Sequence, residues 1–435
     1  MTGIVVSIFV IGYLGIAFES VLKVNKAAFA LLMAVISWSV LMVGTKSEDA
    51  GVSFLGHLAD TSQTVLFLMG SMTIVEVLDS NGCFHFLTHQ MQSYSSKILM
   101  IKTVGLTFIL SSVLDDMTTC ILMVMVLRKL VVDTRQRWLY ASMIILAANA
   151  GGCFSPIGDV TTIMLWIHGC VSTQGLIMNL FLPALTFVVL PTILIMPLVE
   201  SVSCCSVADV DNAQTASEAM PASFRKAILV IGIVGLLSVP VFRSLTGLPP
   251  FVGVMGVLAI LWIVMELAFS KAQNLASVEN ELRLSNVIKK VDMATLMFFT
   301  GVLLAVGALE DTGVLSDLGL WLRDSVGSVY YIDAVIGLMS SIIDNVPLVA
   351  SAMSMYEIEP VCSINELLPY TMDGTFWQLL AYCAGTGGSI LIIGSASGVV
   401  VMGLEGVTFG WYLRNISWRA LLGYLAGIVV YWLVM

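Results

Sequence analysis

The chain has 435 residues, of which 58% are hydrophobic and only 11% are charged, and its formal net charge is −10. The mean hydropathy is +0.98. Soluble domains carry about 25% charged residues, so no soluble core could bury this much apolar surface. The composition therefore excludes a cytosolic enzyme, a nucleic-acid-binding protein and a secreted disulfide scaffold, and it makes the lipid bilayer the main solvent.

Apolar runs approach or reach the roughly 20 residues that a membrane-spanning helix needs. They lie at 2–18, 27–43, 63–78, 175–199, 227–241, 251–269, 293–309 and 418–435. The first run is interpreted as a retained helix, because no basic residue precedes it and no small-residue cleavage site follows it. With the N-terminus outside, most Lys and Arg residues fall on the cytoplasmic side if 98–132 and 329–356 enter the membrane and return.

The chain also matches itself. The segment 111–117, Ser-Ser-Val-Leu-Asp-Asp-Met, matches 340–346, Ser-Ser-Ile-Ile-Asp-Asn-Val, at an offset of 229 residues, and the glycine-rich segments 149–152 and 385–388 match at an offset of 236. Because the first copy starts outside and the second inside, the two copies are expected to be inverted. The sequence thus predicts an all-α polytopic membrane protein with two inverted-topology repeats, re-entrant helical hairpins and discontinuous transmembrane helices, as secondary transporters have.

The predicted organisation has four parts. They are N-terminal transmembrane helices at 1–59, repeat 1 at 60–199, a cytoplasmic linker with two transmembrane helices and a cytoplasmic loop at 200–291, and repeat 2 at 292–435. Each repeat contains a hairpin followed by a broken helix, at 98–132 and 138–170 in repeat 1 and at 329–356 and 375–411 in repeat 2.

Acidic residues lie at the hairpin tips and helix breaks, where irregular backbone must line protein or a water-filled cavity. Asp115, Asp116, Asp159 and Asp344 lie at these points, and no Lys or Arg does. A buried carboxylate without a basic partner must bind a cation or take a proton. Na⁺ and H⁺ therefore compete for the same oxygens. The adjacent Asp115 and Asp116 are further expected to repel one another and to titrate as a coupled pair.

Neutral oxygens surround these acids in the sequence, and they suit a hard cation. The predicted ion- and proton-binding set, which also forms the expected Na⁺ site, is Asp115, Asp116, Asn149, Asp159, Thr161, Thr162, Asp344, Asn345, Ser389 and Ser395. Each Asp or Asn could instead simply cap a half-helix. No catalytic residue and no cofactor is predicted, because Na⁺ and H⁺ are expected to bind as transported ions.

The motifs 111–119, 149–162, 341–347 and 385–398 together resemble the NhaD-type Na⁺/H⁺ antiporters of the ion transporter superfamily. This resemblance, over roughly 60–435, implies exchange of Na⁺ or Li⁺ for H⁺ across a bacterial inner membrane, and often a homodimer. The isoleucine at position 392 departs from the pattern, since a polar residue is expected there.

Three alternatives stay open at this point. The first is another substrate on the same fold, a dicarboxylate or arsenite, which would favour cationic or neutral donors where this chain has acids. The second is an intramembrane protease, which would have no use for the repeat. The third is a channel, which transport driven by a proton gradient would exclude.

Overall fold

The computed structural model describes residues 2–17, 22–45, 48–83, 91, 95–199, 222–271, 283–360 and 369–435. Within these ranges the secondary structure is helical, apart from turns and one isolated β-bridge between Glu359 and Thr371. The all-α prediction is therefore confirmed. Most of the predicted linker and part of the predicted cytoplasmic loop, at 200–221 and 272–282, lie outside the described residues.

The helices of the first half and the connecting region are numbered in chain order. They are α1 (Thr2–Ala17), α2 (Lys26–Thr45), α3 (Glu48–Ser80), α4 (Ser96–Ser111), α5 (Asp116–Leu130), α6 (Thr134–Cys153), α7 (Val160–Ile167), α8 (Thr173–Ile195), α9 (Ala222–Thr246) and α10 (Pro250–Lys271).

The second half follows the same order. Its helices are α11 (Met293–Glu310), α12 (Val314–Val326), α13 (Val329–Ser340), α14 (Asn345–Met355), α15 (Thr375–Gly387), α16 (Ala396–Glu405) and α17 (Trp418–Val434). Four-residue helices at Leu284–Val287 and Phe409–Tyr412 precede α11 and α17.

Seven helices in the described part of the chain are long and apolar enough to cross a membrane. They correspond to α2, α3, α8, α9, α10, α11 and α17. Large apolar side chains are exposed on their outer faces, for example Val35 (63%), Ile193 (60%) and Ile263 (60%). Surfaces of this kind are stable in lipid and costly in water. The chain is thus a multi-pass membrane protein.

The first hairpin is formed by α4 and α5, which correspond to the predicted segment 98–132. Two hydrogen bonds show that α4 and α6 run parallel. At the start of α4 the Tyr140 hydroxyl donates to the Ser96 carbonyl (2.6 Å), and at its end Ser111 Oγ donates to the Ala148 carbonyl (2.6 Å). The tip of the hairpin therefore lies beside the end of α6.

Helix α5 runs in the opposite direction. Cys120, near its start, contacts the Ile144 carbonyl, whereas Val131, just past its end, accepts from Arg137 Nη1 (3.3 Å) near the start of α6. The chain therefore reverses between Ser111 and Asp116 and does not continue through as one helix.

The second hairpin, formed by α13 and α14, repeats this arrangement. Ser340 Oγ donates to the Ala384 carbonyl (2.8 Å). This bond is equivalent to that of Ser111 with Ala148 in the first half, because the two serines are 229 residues apart and the two alanines 236, the offsets found in the sequence. Tyr356, just past the end of α14, packs against Phe376 at the start of α15, with 4.8 Å between ring centroids. Both halves thus share one local architecture.

Two equivalent glycines bring each helix break against its hairpin tip. A Cβ on Gly158 would lie 2.3 Å from the Ser111 carbonyl oxygen, and one on Gly394 would lie 2.4 Å from the Ser341 carbonyl oxygen. No other residue fits at this separation, because the added carbon would overlap the backbone of the tip. The glycines therefore fix the hairpin and the broken helix of each half as one packed unit.

Candidate functional site

The candidate site lies where the two broken helices meet. In the first half, α6 ends at Cys153 and α7 begins at Val160, and in the second half α15 ends at Gly387 and α16 begins at Ala396. The irregular segments between them, 154–159 and 388–395, expose carbonyls and the first N–H groups of the next helix. Such ends can bind ions if the surrounding side chains have the right charge.

Asn149 joins the two halves directly. Its Nδ2 donates to Ser389 Oγ (3.1 Å) and to Ser395 Oγ (3.2 Å), and its Oδ1 accepts from Ser397 Oγ (3.1 Å). All four side chains are at most 2% exposed. The sequence set names three of them, and Ser397 completes a buried cluster of neutral oxygens that crosses from one repeat to the other.

Asp159 caps α7 at the edge of this cluster. The Thr161 hydroxyl donates to Asp159 Oδ2, and Thr162 Oγ1 donates to the Asp159 carbonyl (2.8 Å). A Cβ on Gly385 would lie 3.4 Å from Asp159 Oδ2, so the carboxylate lies against the second broken helix. Asp159 does cap a helix, as the alternative reading of the sequence allowed, but it also lies at the contact between the repeats, buried to 3% exposure.

Asp115 and Asp116 lie at the tip of the first hairpin. Asp115 caps α5 by accepting from the Thr118 N–H (3.2 Å), and Asp116 Oδ1 accepts from the Met117 N–H (2.7 Å). Asp116 lies within electrostatic range of both Asp115 and Asp159. The structure therefore brings three of the four predicted acids into one group.

Basic side chains do not neutralise this group. Among the residues that the structure describes, no ion pair reaches Asp115, Asp116 or Asp159. Asp116 and Asp159 are buried and Asp115 is partly buried. Acids held this close together repel one another, and each favours binding a proton or a cation over remaining a bare charge. The arrangement can therefore attract a small cation and can hold protons in its place.

Asp344 differs from the other three acids, and the prediction that it has no basic partner is wrong. Its Oδ2 lies 2.9 Å from Lys26 Nζ at the start of α2, and the same Nζ lies 4.2 Å above the ring of Phe298. The pair forms because α2 and α14 both pack against α11, which brings residues separated by 318 positions together. Asp344 also caps α14 through the Val346 N–H (3.4 Å), and the neighbouring Asn345 is 5% exposed.

The side chains at the site could coordinate a cation through oxygens of several kinds, not through carboxylates alone. Within the described ranges, no three His, Cys, Asp or Glu side chains are grouped as ligands of one metal ion. A cation at the acids would therefore be completed by amide, hydroxyl and carbonyl oxygens, such as those of Thr161 and of the Asn149 cluster. The side chain of Ile392 is fully buried and supplies no polar ligand.

A second contact between the repeats lies at the far end of α16. Glu405, whose side chain is fully buried, accepts from Arg128 Nε (2.6 Å) of α5 and pairs with Arg137 of α6. Trp138 Nε1 donates to the Glu405 carbonyl (3.0 Å). The sequence shows Glu405 only as an acid in an apolar run, and its arginine partners are visible only in three dimensions.

Residues 13–372 match a family model described as CitMHS, citrate transporter. The chain belongs to this family. It is 41% identical to Sodium/proton antiporter 1 of Arabidopsis thaliana over 98% of this chain and 71% of that protein. It is also 30% identical to the Na⁺/H⁺ antiporter NhaD of Vibrio cholerae over 98% of this chain and 90% of that protein.

These matches confirm the predicted resemblance to NhaD-type antiporters. The similarity extends over nearly the whole length of this chain. A second plant relative, Sodium/proton antiporter 2 of Arabidopsis thaliana, is 40% identical over 98% of this chain and 97% of that protein. Because plant proteins stand among these relatives, the bacterial inner membrane stays a prediction.

Proposed function

We propose that the chain is a secondary active antiporter that exchanges Na⁺ or Li⁺ for H⁺, with both ions competing for Asp115, Asp116 and Asp159. The observation that supports this most is the group of three acids, which has no ion pair among the described residues and whose Asp159 lies against Gly385 of the second broken helix. The names of the relatives agree with exchange of these two ions.

A cavity opens towards the site from one side. A cavity of about 250 Å³ is lined by His57, Asp60, Glu310, Met164 and Ala350, among other residues. Met164 lies five residues after the cap of α7 and Ala350 six residues after the cap of α14, so the cavity ends about 8 Å along each helix from the tips. Its acidic lining would favour entry of cations and oppose entry of anions.

The proposed cycle is alternating access. On the side with high proton activity the three acids take up H⁺. On the other side they release H⁺ and bind Na⁺, and the return step carries Na⁺ outward. The packed units of hairpin and broken helix would move against the remaining helices, while Lys26 keeps Asp344 neutralised throughout. Export of Na⁺ driven by a proton gradient would contribute to pH and sodium homeostasis.

Everted membrane vesicles test this proposal. Addition of Na⁺ or Li⁺ to vesicles that hold a pH gradient should dissipate the gradient when the chain is present, and Asp159→Asn should abolish this response. Asp324→Asn, which removes an exposed carboxylate from α12, is the matched control and should behave as the parent. A parent chain that leaves the gradient unchanged at every pH would overturn the proposal.

The family description gives one rival, a citrate transporter. A tricarboxylate needs cationic donors, and in the described part of the chain the site offers three acids without an ion pair. Uptake of labelled citrate that depends on the chain and survives Asp159→Asn would favour this rival. A homodimeric assembly, the bacterial location and the Na⁺ or Li⁺ preference stay predictions.

A further inference from the structure

A further buried acid lies outside the proposed ion site. Asp333, on the first helix of the second hairpin, is 0% exposed, and neither of its carboxylate oxygens has a hydrogen-bond partner. The sequence set does not include it. An ionised carboxylate without a partner in an apolar interior costs several kcal/mol or more, so this group must hold a proton for much of the time.

The surroundings of Asp333 contain no compensating charge. The titratable groups that act on it from the packed elements are Cys383 of α15, Tyr424 and Tyr431 of α17, and Tyr356 and Tyr370. All of these groups are neutral near pH 7.

Two charged side chains, Arg323 and Glu359, lie beside these tyrosines. Arg323 stacks over the ring of Tyr370 at 5.5 Å, and its guanidinium lies 4.0 Å from Glu359. These two groups are about half and one-third exposed and offset one another. They therefore leave Asp333 without a partner.

The fold itself does not require an acid at this position. At the repeat offset of 229 residues the equivalent of Asp333 is Val104, which is 7% exposed in α4. An apolar side chain therefore fills the same place in the first hairpin. Retaining an unpaired carboxyl at an apolar position costs stability, which is typical of a functional group rather than a packing group.

A polar path leads from this region to water. The Tyr431 hydroxyl donates to Gln378 Oε1 (2.9 Å), and Asn179 Nδ2 donates to the same oxygen (3.1 Å). Gln378 Nε2 is a second buried polar atom without a partner. Asn179 and Gln378 line an open cavity of about 250 Å³, together with Ser172 and Asp373.

We propose that Asp333 is a proton-binding site distinct from the cation site, and that it exchanges its proton with water that enters through the cavity beside Asn179 and Gln378. The site binds H⁺ and excludes Na⁺, because a single carboxyl among phenols and a thiol offers too few oxygens for a desolvated cation. The chain then carries an acid that responds to pH without competing for the transported metal ion.

Carbodiimide labelling tests proton binding at Asp333 directly. Dicyclohexylcarbodiimide reacts with protonated carboxyls in apolar surroundings, and peptide mass spectrometry locates the adduct. In vesicles that contain the full chain, labelling of Asp333 should fall about tenfold per pH unit once the carboxyl ionises. Saturating Na⁺ should protect Asp159 and leave Asp333 unprotected.

Two results of this experiment would overturn the proposal. Labelling of Asp333 that is constant from acid to alkaline pH would mean a permanently neutral structural acid. Protection of Asp333 by Na⁺ in parallel with Asp159 would mean that it belongs to the cation site.

The transport assay supplies a readout that a structural role would not move. Asp333→Asn, which is close in shape, should retain Na⁺-dependent exchange and shift its half-maximal pH by about half a unit or more. The pH profile of the Asp324→Asn control should match that of the parent. If Asp333 only packs, the pH profile of Asp333→Asn would also match that of the parent, and this result would overturn the proposal. This transport readout rests on the proposed antiport, whereas the labelling does not. A parent without exchange but with pH-dependent labelling of Asp333 would reject the antiport alone.

Discussion

Lys26 Nζ lies 2.9 Å from Asp344 Oδ2, so the tip of the second hairpin carries its own fixed cation, whereas no described Lys or Arg pairs with the tip of the first. The two hairpins share their backbone contacts, but they differ in charge. The lysine takes the place that a bound cation would occupy beside Asp344. This asymmetry limits the unpaired acids of the predicted set to one group, Asp115, Asp116 and Asp159.

Lys26→Met should leave Asp344 as an unpaired, mostly buried carboxylate. We expect a loss of about 1–3 kcal/mol in the free energy of unfolding, reduced from that of a fully buried pair because Lys26 is 24% exposed. Thermal unfolding in detergent measures this loss. The double variant Lys26→Met/Asp344→Asn should recover most of it, and a double variant as unstable as the single one would contradict the pairing.

Asn149→Ala should remove the three hydrogen bonds that connect the repeats at the site. If these oxygens complete the cation site, the apparent KM for Na⁺ should rise about tenfold, since one lost polar interaction is worth about 1.4 kcal/mol. Asn286→Ala, on the described stretch before α11, is the matched control. An unchanged KM in Asn149→Ala would exclude this cluster from the cation site.

Asp116→Asn should change the pH dependence of exchange. At low pH the acids hold protons and cannot bind Na⁺, so activity rises with pH. Removing one of the mutually repelling carboxylates should let the remaining two release their protons more easily, which shifts the half-maximal pH downward by about one unit. Na⁺-dependent dissipation of a pH gradient, recorded across pH, measures the shift. A shift upward, or none, would separate Asp116 from the ion-binding group.

Gly158→Ala and Gly394→Ala should each force the helix break away from its hairpin tip. The added Cβ would lie within 2.4 Å of a tip carbonyl oxygen, so we expect a loss of about 1–3 kcal/mol in stability for each variant. Gly403→Ala in α16 is the control, because a Cβ there meets nothing within 4 Å and alanine favours the helix. Equal thermal stability in all three variants would contradict the close packing described for the two breaks.

The hairpin tips and helix breaks were accessible from sequence because their signals are local. Pro347, the glycines near Asn149 and the Asp residues that cap α5, α7 and α14 each mark a helix end through backbone chemistry within a few residues. Similar tip and break motifs occur in both halves of the sequence, so each interpretation rests on two segments.

Contacts between distant elements were not accessible in the same way. The pairs of Lys26 with Asp344 and of Arg137 with Glu405 join residues 318 and 268 positions apart, and no local pattern encodes which basic residue meets which acid. Asp333 is a different case, because a lone acid inside an apolar run is visible in the sequence. A search of every apolar run for isolated carboxyls would have found it.

The ion pairs of Glu405 with Arg128 and Arg137 connect the two halves of the molecule. Helix α16 belongs to the second half, whereas Arg128 and Arg137 belong to the hairpin and broken helix of the first. If the halves slid past one another at this end, the buried Glu405 carboxylate would lose both arginine partners. In the proposed cycle, the two packed units of hairpin and broken helix would therefore move as one body against the remaining helices.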